Sequence, residues 1–294
     1  MQKSAFANLH GAVSFFYFAV VVLVTVLVLH PAVLAASLLF AGAYLAALEG
    51  VRGLWRRLRW LAPLAVLTAA FNALVSHRGV TVLYVLKNGN AVTLESLVYG
   101  LMAGGMLAAA VLWLACFHAV FTSDKLMALT GRRLPTLSLL TSMSLRLVPR
   151  VRRQVRVIAE TRRALCPEAG LLSRLSGGVQ TLSSVVSWML ERSVVTADVM
   201  RARGHGLPGA TVYRRERFTA REWSFLALAL PLTAAVAALL LAGYGGAEYY
   251  PALRFAAPGP GNAALLAAWA LLCALPLLTD GKEAIAWRRS QRNI

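Results

Sequence analysis

Val199-Met200-Arg201-Ala202-Arg203-Gly204-His205-Gly206 closes a long basic block that opens near Leu134. Between those limits the chain is patterned for helix and rich in arginine. Apolar segments long enough to cross a bilayer flank it on both sides. Such a block carries too much charge to sit in lipid and too many aliphatic side chains to float free in water. It is expected to be the working surface of a membrane protein, with the flanking segments as its mount.

The composition of the whole chain agrees. Of 294 residues, 59% are hydrophobic and 14% charged, whereas soluble domains sit nearer about half apolar and about a quarter charged. The formal net charge of +18 would suit a nucleic-acid-binding protein. The arginines fall between apolar runs instead, where a cytoplasmic membrane face puts them, so nucleic acid is set aside as a partner. Cys116, Cys166 and Cys273 lie far apart, without metal-ligand spacing or a disulfide framework, and read as structural. The five histidines are scattered, with no His-Glu-x-x-His spacing, so no metal site is expected, and His77 and His118 read as polar contacts. One lysine precedes the first apolar run and no cleavage site follows it, so that run reads as a retained span.

Working outward from the block, the apolar runs set the membrane course. Spans are expected at 12–29, 32–48, 61–75, 95–122, 223–244 and 263–279. His30-Pro31 separates the first two, since proline disfavours helix in the residue before it. Glu49 to Trp60 reads as a short basic loop between tryptophans, the composition of a cytoplasmic interface. Val80 to Leu86 and Val92-Thr93-Leu94, joined through Asn88-Gly89, predict an external hairpin within 76–94. Gly100 and Gly104 stand at the spacing of a close helix contact. Residues 123–222 hold 18 lysines and arginines against 7 acids and form the main cytoplasmic region. The basic tail after 279 returns inside. The expected fold is thus an all-α integral membrane protein of six transmembrane helices, with both termini inside. Its parts are the N-terminal helices (1–122), the basic region (123–222) and the C-terminal helices with the tail (223–294).

The basic block itself reads as two long amphipathic helices. From Leu137 to Leu165, Val148, Val151, Val155 and Ile158 form an apolar stripe. Arg146, Arg150 and Arg153 lie on one flank of it, with Arg152 and Arg156 on the other. Pro149 should bend or divide this helix, and Cys166-Pro167 should end it. After Ser176-Gly177-Gly178 a second helix, Val179 to Arg203, carries Leu182, Val186 and Met189 on one face, and Gly204 supplies its stop. Guanidinium groups held at helix ends suit carboxylates and backbone carbonyls of a protein partner. They also suit anionic lipid beneath an interfacial helix pair, and composition is compatible with either.

Met200-Arg201-Ala202-Arg203-Gly204, after Glu191-Arg192 and Ala197-Asp198, resembles the second signature of the transmembrane T component of energy-coupling factor (ECF) transporters. Ser142 to Pro149 is similar to the stretch that leads into that family's first coupling helix. Phe71 to Gly79 and Thr93 to Gly100 are also similar to family segments. The resemblance covers about Phe71 to Gly206. It implies a scaffold that joins two ATP-binding-cassette (ABC) ATPase subunits to a small substrate-binding membrane subunit, in the cell membrane of a prokaryote. Vitamins or the metal ions cobalt and nickel would be the cargo. It further implies that each coupling helix ends in an Ala-Arg-Gly-like motif docked on one ATPase. Ala202, Arg203 and Gly204, preceded by Arg201, match the second motif. The first departs from the pattern: in Thr161-Arg162-Arg163-Ala164 there is no glycine, and Arg163 is the better match for its arginine with Arg162 the rival.

Other classes fit less well. No Gly-x-x-x-x-Gly-Lys-Ser/Thr loop is present, so ATP hydrolysis is expected in partners, and no Gly-x-Ser-x-Gly elbow occurs. Acids are nearly absent from the spans, against an ion-coupled carrier or an intramembrane enzyme. A non-catalytic subunit without a cofactor is expected. The alternative is a stand-alone membrane protein whose basic helices bind anionic lipid or another ligand.

Overall fold

The computed structural model describes residues 6–76, 79–85, 91–122, 125–126, 129, 135–165, 170–208, 218–251, 253–255 and 259–291. After a 3-10 turn, Phe6–Asn8, these form α1 (Gly11–Leu27), α2 (Pro31–Glu49) and α3 (Val51–Val75). There follow β1 (Val82–Val85), β2 (Ala91–Thr93), α4 (Leu94–Val120), α5 (Pro135–Leu165), α6 (Leu171–Ala202) and α7 (Ala220–Leu241). A two-residue ribbon, β3 (Ala247–Glu248) with β4 (Arg254–Phe255), precedes α8 (Pro260–Gln291). The chain divides into two compact units, Met1–Lys125 with Arg217–Ile294, and Leu126–Glu216.

In the first unit α2, α3, α4, α7 and the Pro260–Glu283 part of α8 are long and apolar enough to cross a membrane. The 17 residues of α1 span only about 26 Å, yet this helix runs between the same two ends as the others. One end gathers Phe6, His10, Glu222 and Asp280. The Phe6 N–H donates to Asp280 Oδ1 (2.9 Å) and the His10 N–H to Glu222 Oε1 (3.0 Å). The Thr219 N–H and hydroxyl also donate to Glu222, so one buried carboxylate both caps α7 and holds the chain before α1. The opposite end gathers Leu29, Ser76, Tyr99, Tyr249 and Tyr250. There the Tyr249 hydroxyl donates to the Leu29 carbonyl, and Ser76 Oγ to the Tyr250 hydroxyl (3.2 Å).

Lipid tails are as apolar as leucine, so helices in a bilayer associate through close contact and buried hydrogen bonds rather than through water exclusion. Both devices are present. Gly100 and Gly104 of α4 lie against Ala69 and Ala65 of α3. A Cβ on Gly100 would fall 2.7 Å from Ala69 Cα, and one on Gly104 2.8 Å from Ala65 Cα. The spacing of Gly100 and Gly104 is common by chance in sequence, and the structure makes it a true helix contact. Trp113 of α4 donates to Ser37 Oγ of α2 (2.9 Å), which lies 3.0 Å from Thr25 Oγ1 of α1, and Tyr17 donates to the Leu272 carbonyl of α8 (3.0 Å).

Two local expectations are corrected and a third holds. The basic stretch Val51 to Trp60 is the start of α3, not a loop, and Gly50 alone separates α2 from α3. No other helix breaker but Gly53 interrupts that stretch, and Arg57 reaches back across the corner to Glu49 (2.5 Å). The last helix does not stop near Thr279 but continues to Gln291. The expected hairpin forms, with Val82 opposite Thr93 and Val85 opposite Ala91, while its Asn88-Gly89 turn lies outside the described residues. Thr81 fastens it to the start of α4 by donating its N–H (3.1 Å) and hydroxyl (2.7 Å) to Glu95 Oε1.

Candidate functional site

The second unit is the pair α5 and α6, and it holds every residue singled out as a docking candidate. The 31 residues of α5 run unbroken through Pro149, so of the two outcomes expected there, a bend or a division, the division does not occur. Nor does Ser176-Gly177-Gly178 separate the helices. It lies inside α6, which begins eight positions earlier than expected, at Leu171. Glycine inside a helix costs roughly 1 kcal/mol relative to alanine, and the contact with α5 offsets this at Gly177. That residue is buried, and its carbonyl accepts from Arg162 of α5 and from Thr181 Oγ1 (2.9 Å). The proposed α5 terminator, Cys166-Pro167, lies outside the described residues.

The packed face of α6 is also one step from the expected one. Val185 is the buried apolar side chain among the described residues of this unit, and Thr181 beside it is half-buried. Leu182 (63% exposed) and Val186 (46%) face away, and with Leu175, Val179 and Leu190 they make a continuous exposed apolar stripe. On α5, Val151 and Ile158 are half-buried while Val148 and Val155 stay exposed. Sequence periodicity thus found both apolar arcs but not which edge of each would meet the other.

The end of α6 follows the sequence reading closely. The helix closes at Ala202 with Arg203 as its cap. The Gly204 N–H then donates to the Arg201 carbonyl (2.9 Å) and the His205 N–H to the Met200 carbonyl (3.0 Å). This pair of bonds is the Schellman closure, and it needs the left-handed backbone (φ +77°) that Gly204 supplies. A side chain there would also press on Leu207. Arg201, Ala202 and Arg203 are exposed, as are Arg163 and Ala164 at the end of α5. Among the described residues no acid pairs with Arg163, Arg201 or Arg203. Arg162, by contrast, is half-buried and bound to α6. The two candidate arginines of α5 therefore differ: Arg162 ties the helices together, and Arg163 points to solvent.

Elsewhere the structure brings together the segments Phe71–Gly79 and Thr93–Gly100, since Asn72 Nδ2 donates to the Ser96 carbonyl (2.9 Å). His77 lies outside the described residues, and His118 stands near Phe117 on α4. Among the described residues no group of three or more histidines, cysteines or acids could hold a metal ion. Cys116 and Cys273 are buried free thiols within the spanning unit. Sequence reasoning missed Glu222, Val185 and the Gly177 carbonyl. The Thr219-x-x-Glu222 pattern before an apolar run was the one local signal available for any of them.

The chain is a predominantly helical, multi-pass membrane protein carrying a separate basic helical pair. No family model matches it, and no curated protein matches it significantly.

Proposed function

We propose that this chain is the energy-coupling transmembrane scaffold of an ATP-driven uptake transporter of the ECF type. In that role α5 and α6 are the coupling helices. Their exposed ends, Arg163-Ala164 and Arg201-Ala202-Arg203-Gly204, dock on two ABC ATPase subunits. A small membrane subunit selects the cargo, a vitamin or a transition-metal ion. The observation that carries this reading is the closed terminus of α6, where a glycine-dependent turn holds two exposed arginines, paired with no described acid, at a helix end. A lipid-binding helix has no use for so defined a stop, which disfavours the stand-alone, lipid-binding alternative. Six crossings follow, with both termini and residues 123–222 cytoplasmic. The end of the spanning unit that bears Arg52, Arg56, Arg57 and Arg221 is then the inner one.

Nucleotide-driven closure of the ATPases would move the helix ends. Helices unbroken at Pro149 and at Gly177-Gly178 would carry that motion along their length rather than lose it at a hinge. Arg203→Ala is expected to abolish substrate uptake in cells while the protein still inserts in the membrane. Truncating one partner of a buried charged contact typically costs about 2–5 kcal/mol. Normal uptake together with normal ATPase co-purification in that variant would overturn the assignment. Arg163→Ala should weaken co-purification, whereas Arg162→Ala should first loosen the α5–α6 pair. If neither weakens it, the first dock lies elsewhere.

A further inference from the structure

The corner between α2 and α3 contains a cationic cavity that the coupling function does not use. Its volume is about 450 Å³, and it is lined by Glu49, Arg52, Arg56, Arg57, Trp60 and Val111, among others. Glu49 is engaged by Arg57, through Nη2 at 2.5 Å and Nε at 3.2 Å. Arg52 and Arg56 have no acid partner among the described residues, so the cavity keeps a surplus of positive charge. An acidic ligand group is what such a cavity lacks.

The rest of α3 says which kind. Arg52, Arg56 and Arg59, at steps of four and three, lie on one exposed stripe, with Trp55 on one flank and Trp60 on the other, both 72% exposed. The stripe then turns wholly apolar along the same face. Pro63, Val66, Ala70 and Leu74 continue it and all are exposed, while Leu61, Ala69 and Ala73 of the same helix are buried. From Arg52 to Arg59 the helix rises about 10 Å, enough to cross one headgroup layer of roughly 5–8 Å. A soluble phosphate would account for the arginines but not for the tryptophans, nor for the apolar surface that begins where the arginines end. An amphiphile with a phosphate head and acyl tails accounts for all three.

We infer that the cavity at the α2–α3 corner binds the phosphate of an anionic phospholipid, held by Arg52 and Arg56, with the acyl chains lying along the exposed face of α3. Glu49 moderates the site by occupying Arg57. Removing Glu49 therefore strengthens binding, an effect that a purely structural role for these arginines does not produce.

The test uses the full-length chain, purified in detergent and stripped of lipid. It is titrated with short-chain phosphatidylglycerol or phosphatidylcholine and read by native mass spectrometry. Wild type is expected to prefer phosphatidylglycerol. The double variant Arg52→Gln/Arg56→Gln should bind it more weakly by about fivefold per arginine removed, the usual contribution of a basic residue at an anionic surface. Glu49→Gln should bind it more tightly by a similar factor. Arg146→Gln/Arg150→Gln on α5 should leave binding unchanged, and inorganic phosphate at the same concentration should displace none of the lipid. Equal binding of the two lipids overturns the site. So does an unaltered double variant, an equal loss on α5, or displacement by phosphate. If the double variant fails to fold, the direction of change in Glu49→Gln decides alone.

Discussion

The spanning unit hides Trp113, Trp269, Tyr17, Tyr44 and Phe18 almost completely, while the α5–α6 pair hides Val185 and leaves most of its apolar side chains in view. The polar groups are used differently too. In the spanning unit, carboxylates and hydroxyls join segments far apart in the chain, as Glu222 does with His10 and Asp280 with Phe6. In the helical pair, the hydroxyls of Thr161 and Thr196 turn back on their own helix, to Val157 and Arg192, and Arg162 makes the cross-link described above. A pair of helices more than 30 residues long would bury one edge of each if it were only packing on itself. Under the proposed coupling role, the exposed stripe Leu175–Leu190 and the terminal arginines, which no described acid pairs, would be the surface that meets partners.

The sharpest way to break this contrast is Gly104→Leu. With Ala65 2.8 Å from the added Cβ, a bulky side chain should force α3 from α4 and cost about 3 kcal/mol or more. It should be seen as loss of monodisperse protein on size-exclusion chromatography in detergent. Normal elution and an unchanged Tm would mean that the spanning unit is looser than its contacts imply. Glu222→Ala comes next. It removes the acceptor shared by His10 and Thr219, which should lower stability by about 2 kcal/mol and speed amide exchange before α1.

A paired substitution sharpens the other side of the comparison. Val185→Ala should destabilise the α5–α6 pair by about 1–2 kcal/mol. Leu182→Ala, three residues away, should stay within about 0.5 kcal/mol of wild type. Differential hydrogen exchange over residues 135–208 reads both. If the two substitutions behave alike, the packed edge of α6 has been assigned to the wrong residues.

The smallest effect concerns His30. Its Nδ1 accepts the Ala32 N–H at the start of α2 (3.3 Å), and burial lowers its pKa from the ordinary histidine value. Only the neutral ring can accept that bond. The cap therefore contributes above the unfolded-state pKa and is lost as pH falls through the folded one. Tm should drop slightly between pH 7.5 and pH 5. In His30→Asn, which caps without titrating, the part of the drop due to this group should vanish.

Much of this could be read locally. Gly204 was legible as a helix stop because no other residue adopts its backbone so readily. The α3–α4 contact was legible only in part: Gly100 and Gly104 leave a groove on α4, but nothing local to them names Ala65 and Ala69 as the residues that fill it. The latch between His10 and Glu222 was not legible, because 212 positions separate its partners and neither carries a local sign of the other.

By itself, the sequence determined the order and approximate place of the apolar helices, the hairpin before α4, and a basic helical block ending at Arg203-Gly204. Each of these follows from composition, short-range periodicity or a single residue's backbone preference. Tertiary structure alone decided that Gly177-Gly178 continues α6, that Val185 rather than Leu182 or Val186 packs, and that Arg162 is bound within the unit while Arg163 stays exposed. An apolar arc on a helix is several residues wide. Which edge of it is buried depends on where a second helix arrives, and the first helix does not encode that.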